Sequence, residues 1–201
     1  MGKILRKLNR GAIVTAVVLL AVAVYLAALD IAHQKDQEDI KTACEAFLLA
    51  DADWRVLPVD YENGQTRLTE DQFNQFLADM KADKAKYYVA NQAALDNDLI
   101  YLNDALHSQN EGMTALTTSF ENRILAFSAI SFDGNSVSVT VDTQVAIESR
   151  NFAAGETAPV RQSVSSSDSI TLQKEDGIWK IVYAYINTSD MGGDGLIWKQ
   201  H

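Results

Sequence analysis

The chain has 201 residues, 47% of them hydrophobic, with two prolines and ten glycines, which excludes a low-complexity or disordered polypeptide and suits one domain plus a short extra segment. The formal charge is −10, but residues 1–29 hold four basic side chains and no acid, so the remainder carries 13 basic and 27 acidic residues, a net of −14. Such a domain repels nucleic-acid phosphate, and with Cys44 as the one cysteine neither an intrachain disulfide nor a cysteine-based zinc site can form.

Residues 1–10 form a basic tail with Lys3, Arg6, Lys7 and Arg10. Residues 11–29 contain no charge and ten Leu, Ile or Val side chains. At 1.5 Å per residue they make roughly 28 Å of helix, close to a ~30 Å hydrocarbon core. The expectation is a transmembrane helix with the lipid bilayer as its partner. Its basic flank keeps the N-terminus in the cytoplasm and puts the rest outside the cytoplasmic membrane in a single pass. A cleaved signal peptide ending at Ala21-Val22-Ala23 is the competing reading, but it would leave the apolar run 24–29 at the mature terminus. Ala12, Ala16, Ala23 and Ala27 lie near one stripe that would permit self-association, although alanine is common in such segments.

Residues 30–37 are polar and form a stalk. Ile40, Ala43, Cys44, Phe47, Leu48 and Trp54 recur at helical spacing and predict a helix over 36–56. Thr69-Glu70-Asp71-Gln72 has the capping-box pattern and opens a second helix, whose period continues to Leu106 either unbroken or bent near Asn91, with Gly112 as terminator. A short helix is expected over 113–121. Beyond residue 122 the period changes to two. Asp133-Gly134 marks a hairpin turn, and Val137, Val139, Val141, Val145 and Ile147 alternate with polar residues as a half-buried strand. Further strands follow at 160–172 and 178–186, joined by a turn at 174–177, and residues 187–201 are expected to be a loop-like tail.

Helices followed by an antiparallel meander imply an α+β fold, with amphipathic helices covering a curved four-stranded sheet. The ending FDGNSVSVTV…ITLQKEDGIWKIVYAYI, with AFLLADADW near the start, resembles the NTF2-like (cystatin-like) superfamily, and more narrowly its membrane-tethered extracytoplasmic members in Gram-positive bacteria. The resemblance spans residues 38–186. It implies a cone between helices and sheet, and in the isomerases and dehydratases of that superfamily an acidic or histidine base inside it.

No such base can be assigned, because Asp142 and Glu148 fall on the polar parity of their strand. Ser163, Ser165, Ser166, Ser167 and Ser169 read as a solvent face. Asp104, His107 and Glu111 share a helical stripe that could ligate a metal, but a histidine at a solvated helix end accounts for them better. Gly192, Gly193 and Gly195 lack phosphate-loop spacing, and Asp190 with Asp194 makes no complete calcium loop. Trp179, Ile181, Tyr183 and Tyr185 share one parity and, with Val141, are expected to face the helices as core or as the lining of a pocket. The expected function is a membrane-anchored, noncatalytic, extracytoplasmic binding or scaffold module of the cell envelope, without cofactor or metal. Its expected partner is an envelope protein or a second copy. A small-ligand binder using the cone comes second and an enzyme third. A filled cone would favour the first, an open apolar one the second, and an open one with a buried carboxylate or histidine the third.

Overall fold

A computed structural model describes residues 10–90, 92–152, 155 and 158–186. The chain divides into two compact units, one up to Asp39 and one from Ile40. The expected tail at 187–201, with its glycines and Asp190 and Asp194, lies outside the described residues.

The first helix, α1, is Arg10–Trp54. The expected transmembrane helix is corrected here: among the described residues no helix is long and apolar enough to cross a membrane. The described side chains of the apolar run extend over residues 15–27. The expected segment's two ends, residues 11–14 and 28–29, lie outside the described side chains. Along the described length the large side chains are uncovered, from Val22 at 48% exposed to Leu20 at 67%.

The unit from Ile40 is α+β. The last part of α1 buries Ile40, Cys44, Phe47, Leu48 and Trp54. A 3₁₀ turn at Tyr61–Asn63 leads into α2, Glu70–Lys84. Thr69 accepts a hydrogen bond from the Gln72 amide and Gln72 reaches back to the Thr69 amide, so both halves of the capping box form. Helix α3 is Gln92–Asn110, separate from α2, and Gly112 follows it with φ +71°.

Between α2 and α3 the backbone of residues 87–89 pairs in parallel with strand β4, Ile178–Tyr185. The Val89 amide donates to the Ile181 carbonyl at 2.9 Å, and the Ile181 amide donates to the Tyr87 carbonyl at 2.8 Å. This pairing explains the break in the helical run, since the segment satisfies its backbone groups on the sheet instead.

The remaining strands are β1 Leu116–Asp133, β2 Ser136–Arg150 and β3 Val160–Glu175. The sheet is an antiparallel meander in the order β1-β2-β3-β4. The helix expected at 113–121 is instead the start of β1. Register shifts at Thr118, Leu125 and Ser128 interrupt its alternation three times. Each extra residue reverses the parity, so Phe120, Phe127 and Ile130 all turn inward without a period of two in the sequence. In β2 the alternation is clean, with Val137, Val139, Val141 and Val145 buried. The β3–β4 connection is a tight turn with Asp176 at φ +50° and Gly177 at φ +82°.

Helix and sheet side chains meet in a main core, beside a smaller cluster of Ala52, Phe120, Val145 and Ile147. At the centre of the main core Val141, Ile170 and Leu172 are 0% exposed and Ile181 is 1% exposed.

Candidate functional site

The end of α1, the end of α2 and the first half of α3 converge on a buried ionic junction. Asp51 follows Phe47 and Leu48 on the buried face of α1, one turn before Arg55, and the Arg55 Nε donates to its Oδ2 at 2.6 Å. Lys84 ends α2 on the apolar stripe that includes Phe73 and Met80. Its Nζ lies 3.5 Å from Asp51 Oδ1 and donates to Asp98 Oδ2 on α3. The Lys84 and Asp51 side chains are each 1% exposed, whereas Asp98 reaches solvent at 22%. Aromatic rings surround the ammonium, with Trp54 at 5.0 Å and Phe47 at 5.9 Å from Nζ. The Trp54 indole donates to Asp83 at 3.1 Å, tying α1 to α2 a second time.

Two acids meet two bases, so the junction is neutral. Burial alone would raise Asp51. The Arg55 and Lys84 charges and their hydrogen bonds outweigh it and hold this carboxyl below its usual range. Tyr88, buried beside it, is pushed far above the tyrosine range by burial and then by the Asp98 charge. At neutral pH Asp51 is therefore ionised and Tyr88 protonated. Neither is poised to exchange a proton with a substrate, and the arrangement fastens three helices together.

A second polar group sits on the helix-facing side of the sheet. Asp168 on β3 is 0% exposed. Thr143 Oγ1 donates to its Oδ2 at 2.9 Å, Ser166 Oγ donates to its Oδ1 at 3.2 Å, and the two hydroxyls are 3.2 Å apart. The inward parity of β3 thus runs Val164, Ser166, Asp168, Ile170, Leu172, while Ser163, Ser165, Ser167 and Ser169 face solvent. Ser166 departs from the expected solvent face. Asp142 and Glu148 are half-buried on the outward parity, and Asp142 accepts from Ser167 at 2.6 Å.

Of the five expected lining residues, Val141, Trp179 and Ile181 are in the core and Tyr183 and Tyr185 are not. Leu172 pairs with Ile181 and Thr171 with Tyr183, which leaves Val182 as an extra residue. This bulge reverses the strand, so Tyr183 and Tyr185 turn outward at 56% and 42% exposed while Ala184 and Ile186 pack on the core. His107 is exposed, with its ring edge-on to Phe73 at 4.6 Å between centroids. Among the described residues no group of three or more His, Cys, Asp or Glu could hold a metal ion.

Asp51, Lys84, Asp98 and Asp168 were not singled out in the sequence. The available signal was a charged residue on an otherwise apolar parity: Lys84 one turn after Met80, Asp51 one turn after Phe47, and Asp168 two before Ile170. No protein-family model, curated protein or solved structure matches the chain.

Proposed function

We propose that the unit from Ile40 is a noncatalytic, extracytoplasmic binding or scaffold module of the cell envelope, built on the NTF2-like (cystatin-like) plan. The observation that carries this reading is the filled cone. Helix and sheet side chains fill the space between them in a main core, whose central residues are 0–1% exposed. A protein that worked through a ligand held there would need that volume open. The ionic junction supports the same reading, since its charges are matched to one another across three helices. The uncovered apolar side chains between Val17 and Leu26 support a lipid surface as the partner of that stretch.

Native mass spectrometry of the purified full chain is expected to give the polypeptide mass without a small-molecule adduct. A photoreactive residue at Tyr101, 73% exposed on α3, is expected to trap a discrete protein in cells. A stoichiometric small-molecule adduct would overturn this reading in favour of a small-ligand binder.

A further inference from the structure

Helices α2 and α3 run antiparallel and leave a groove open to solvent between them. Lys81 reaches across it to Asp96 at 2.9 Å, and the rings of Phe73 and His107 meet farther along. The groove consists of two adjoining hollows of about 290 and 420 Å³, both lined by Ala78 and Lys81. One wall is Ala78 and Ala82 on α2 with Ala85 at its C-cap, and the other is Leu95, Leu99 and Ile100 on α3. The alanines recur at spacings of four and three, so nothing larger than a methyl stands on that stripe and another helix can approach the α2 backbone. Ile100 is 54% exposed at the rim, a large apolar side chain turned to water. Charge along the groove is uneven. At the Ala85 end Lys86 is answered by Asp83 at 2.5 Å, and in the middle Lys81 is answered by Asp96. At the far end the antiparallel packing brings Glu70 and Asp71, in the first turn of α2, toward Asp104 and Glu111 at the end of α3. All four acids are exposed, and the described bases at that end are Arg67 and His107, so acid is in excess there.

We propose that this groove binds an amphipathic helix of a partner protein, its apolar side chains seated against the alanines and its lysines or arginines over Glu70 and Asp104. The dimensions suit such a ligand. Ala78 to Ala85 is roughly 10 Å along α2, the length that anchors at i, i+4 and i+7 of a bound helix cover. Its larger side chains fill the space above the alanines and cover Ile100. The excess of acid at one end draws in a cationic segment and fixes the direction in which it lies. The same acid repels phosphate, so neither nucleic acid nor an anionic lipid surface suits the groove. The inference rests on the binding-module reading and names the docking surface and the chemistry of its partner.

The probe is a synthetic fluorescent peptide of about 15 residues, long enough to hold a helix, with leucines at i, i+4 and i+7 and lysines at one end. Its counterpart carries glutamates in place of the lysines. Fluorescence anisotropy follows each as the full chain is added. The lysine peptide is expected to saturate at one per chain, and the glutamate peptide to bind about tenfold more weakly or less. Ala82→Trp fills the groove from an exposed position, so the fold is retained, and it is expected to weaken the lysine peptide about tenfold or more. Leu49→Trp, at a 68% exposed position on α1, is expected to leave binding unchanged. A lysine peptide that does not bind, or that binds Ala82→Trp as well as the unaltered chain, overturns the proposal. Sedimentation of the chain alone supplies another check: self-association abolished by Ala82→Trp gives the groove to a second copy and overturns it too. Failure of the broader reading is seen separately, as a small-molecule adduct on the intact chain.

Discussion

Replacing Lys84 with methionine keeps the stem of the side chain and removes the charge that α1 and α3 share. Asp51, 1% exposed, is then left with Arg55 at 2.6 Å as its cation, and Asp98 loses its ammonium but reaches water at 22% exposed. Stripping one partner from a buried pair costs about 3–5 kcal/mol. The retained Arg55 and the partial exposure of Asp98 put this case at the low end, near ~3 kcal/mol. For a unit of this size that lowers the melting temperature by roughly 6–12 °C. Urea unfolding followed by tryptophan fluorescence reads the change, because Trp54 packs on the ammonium. The pH dependence has a definite sign. Asp51 has a lowered pKa in the folded chain, so the unfolded chain binds its proton more readily. Its contribution is present above the ordinary carboxylate range and is lost as pH falls through the folded value. Without Lys84 one of the charges that lowers it is gone, and the acid limb of the stability curve moves to higher pH. A loss under about 1 kcal/mol with the acid limb unmoved would refute the junction as the fastening of the three helices.

Val141→Asp is expected to cost about 4 kcal/mol or more and Thr140→Asp within about 0.5 kcal/mol, because the first buries an unpaired charge and the second stands on the outward parity. On β4 the same contrast runs across the bulge: Ile181→Ser is strongly destabilising and Tyr183→Ser mild, and equal losses in denaturant melts would remove the Val182 bulge from the account. The Cys44 thiol, pushed up to about 12 by burial and then by Glu45, should stay unreactive toward an aromatic disulfide reagent at pH 8 until the chain unfolds; rapid labelling of the native protein contradicts its placement in the core.

Strand β2, the capping box at Thr69 and the turn at residues 176–177 were legible in the sequence because each depends on neighbours a few residues apart. The start of β1 was not, since the extra residue at Thr118 breaks the alternation by which a strand is recognised. Tyr183 and Tyr185 were placed on the wrong face for the same reason: one extra residue at Val182 is invisible until β3 supplies the register. The ionic junction was hidden differently. Lys84 and Asp51 break an apolar pattern, and a single sequence does not show that they break it toward each other. The apolar run of α1 was evident, but its reading as a membrane span did not survive the helix as described.

The pairing of residues 87–89 with Ile181 bears on the behaviour of this protein when crowded with others. A sheet grows by recruiting a strand at an open edge, and aggregation begins there. On the β4 side an incoming strand must first displace the Tyr87 and Val89 bonds, which hold the Ile181 amide and carbonyl. On the β1 side the backbone bends at Thr118, Leu125 and Ser128, so a straight intruder finds no long run of aligned donors and acceptors. Glu121 and Arg123 add charge along that same margin. The bulges that disguised β1 in the sequence thus also keep the sheet finite.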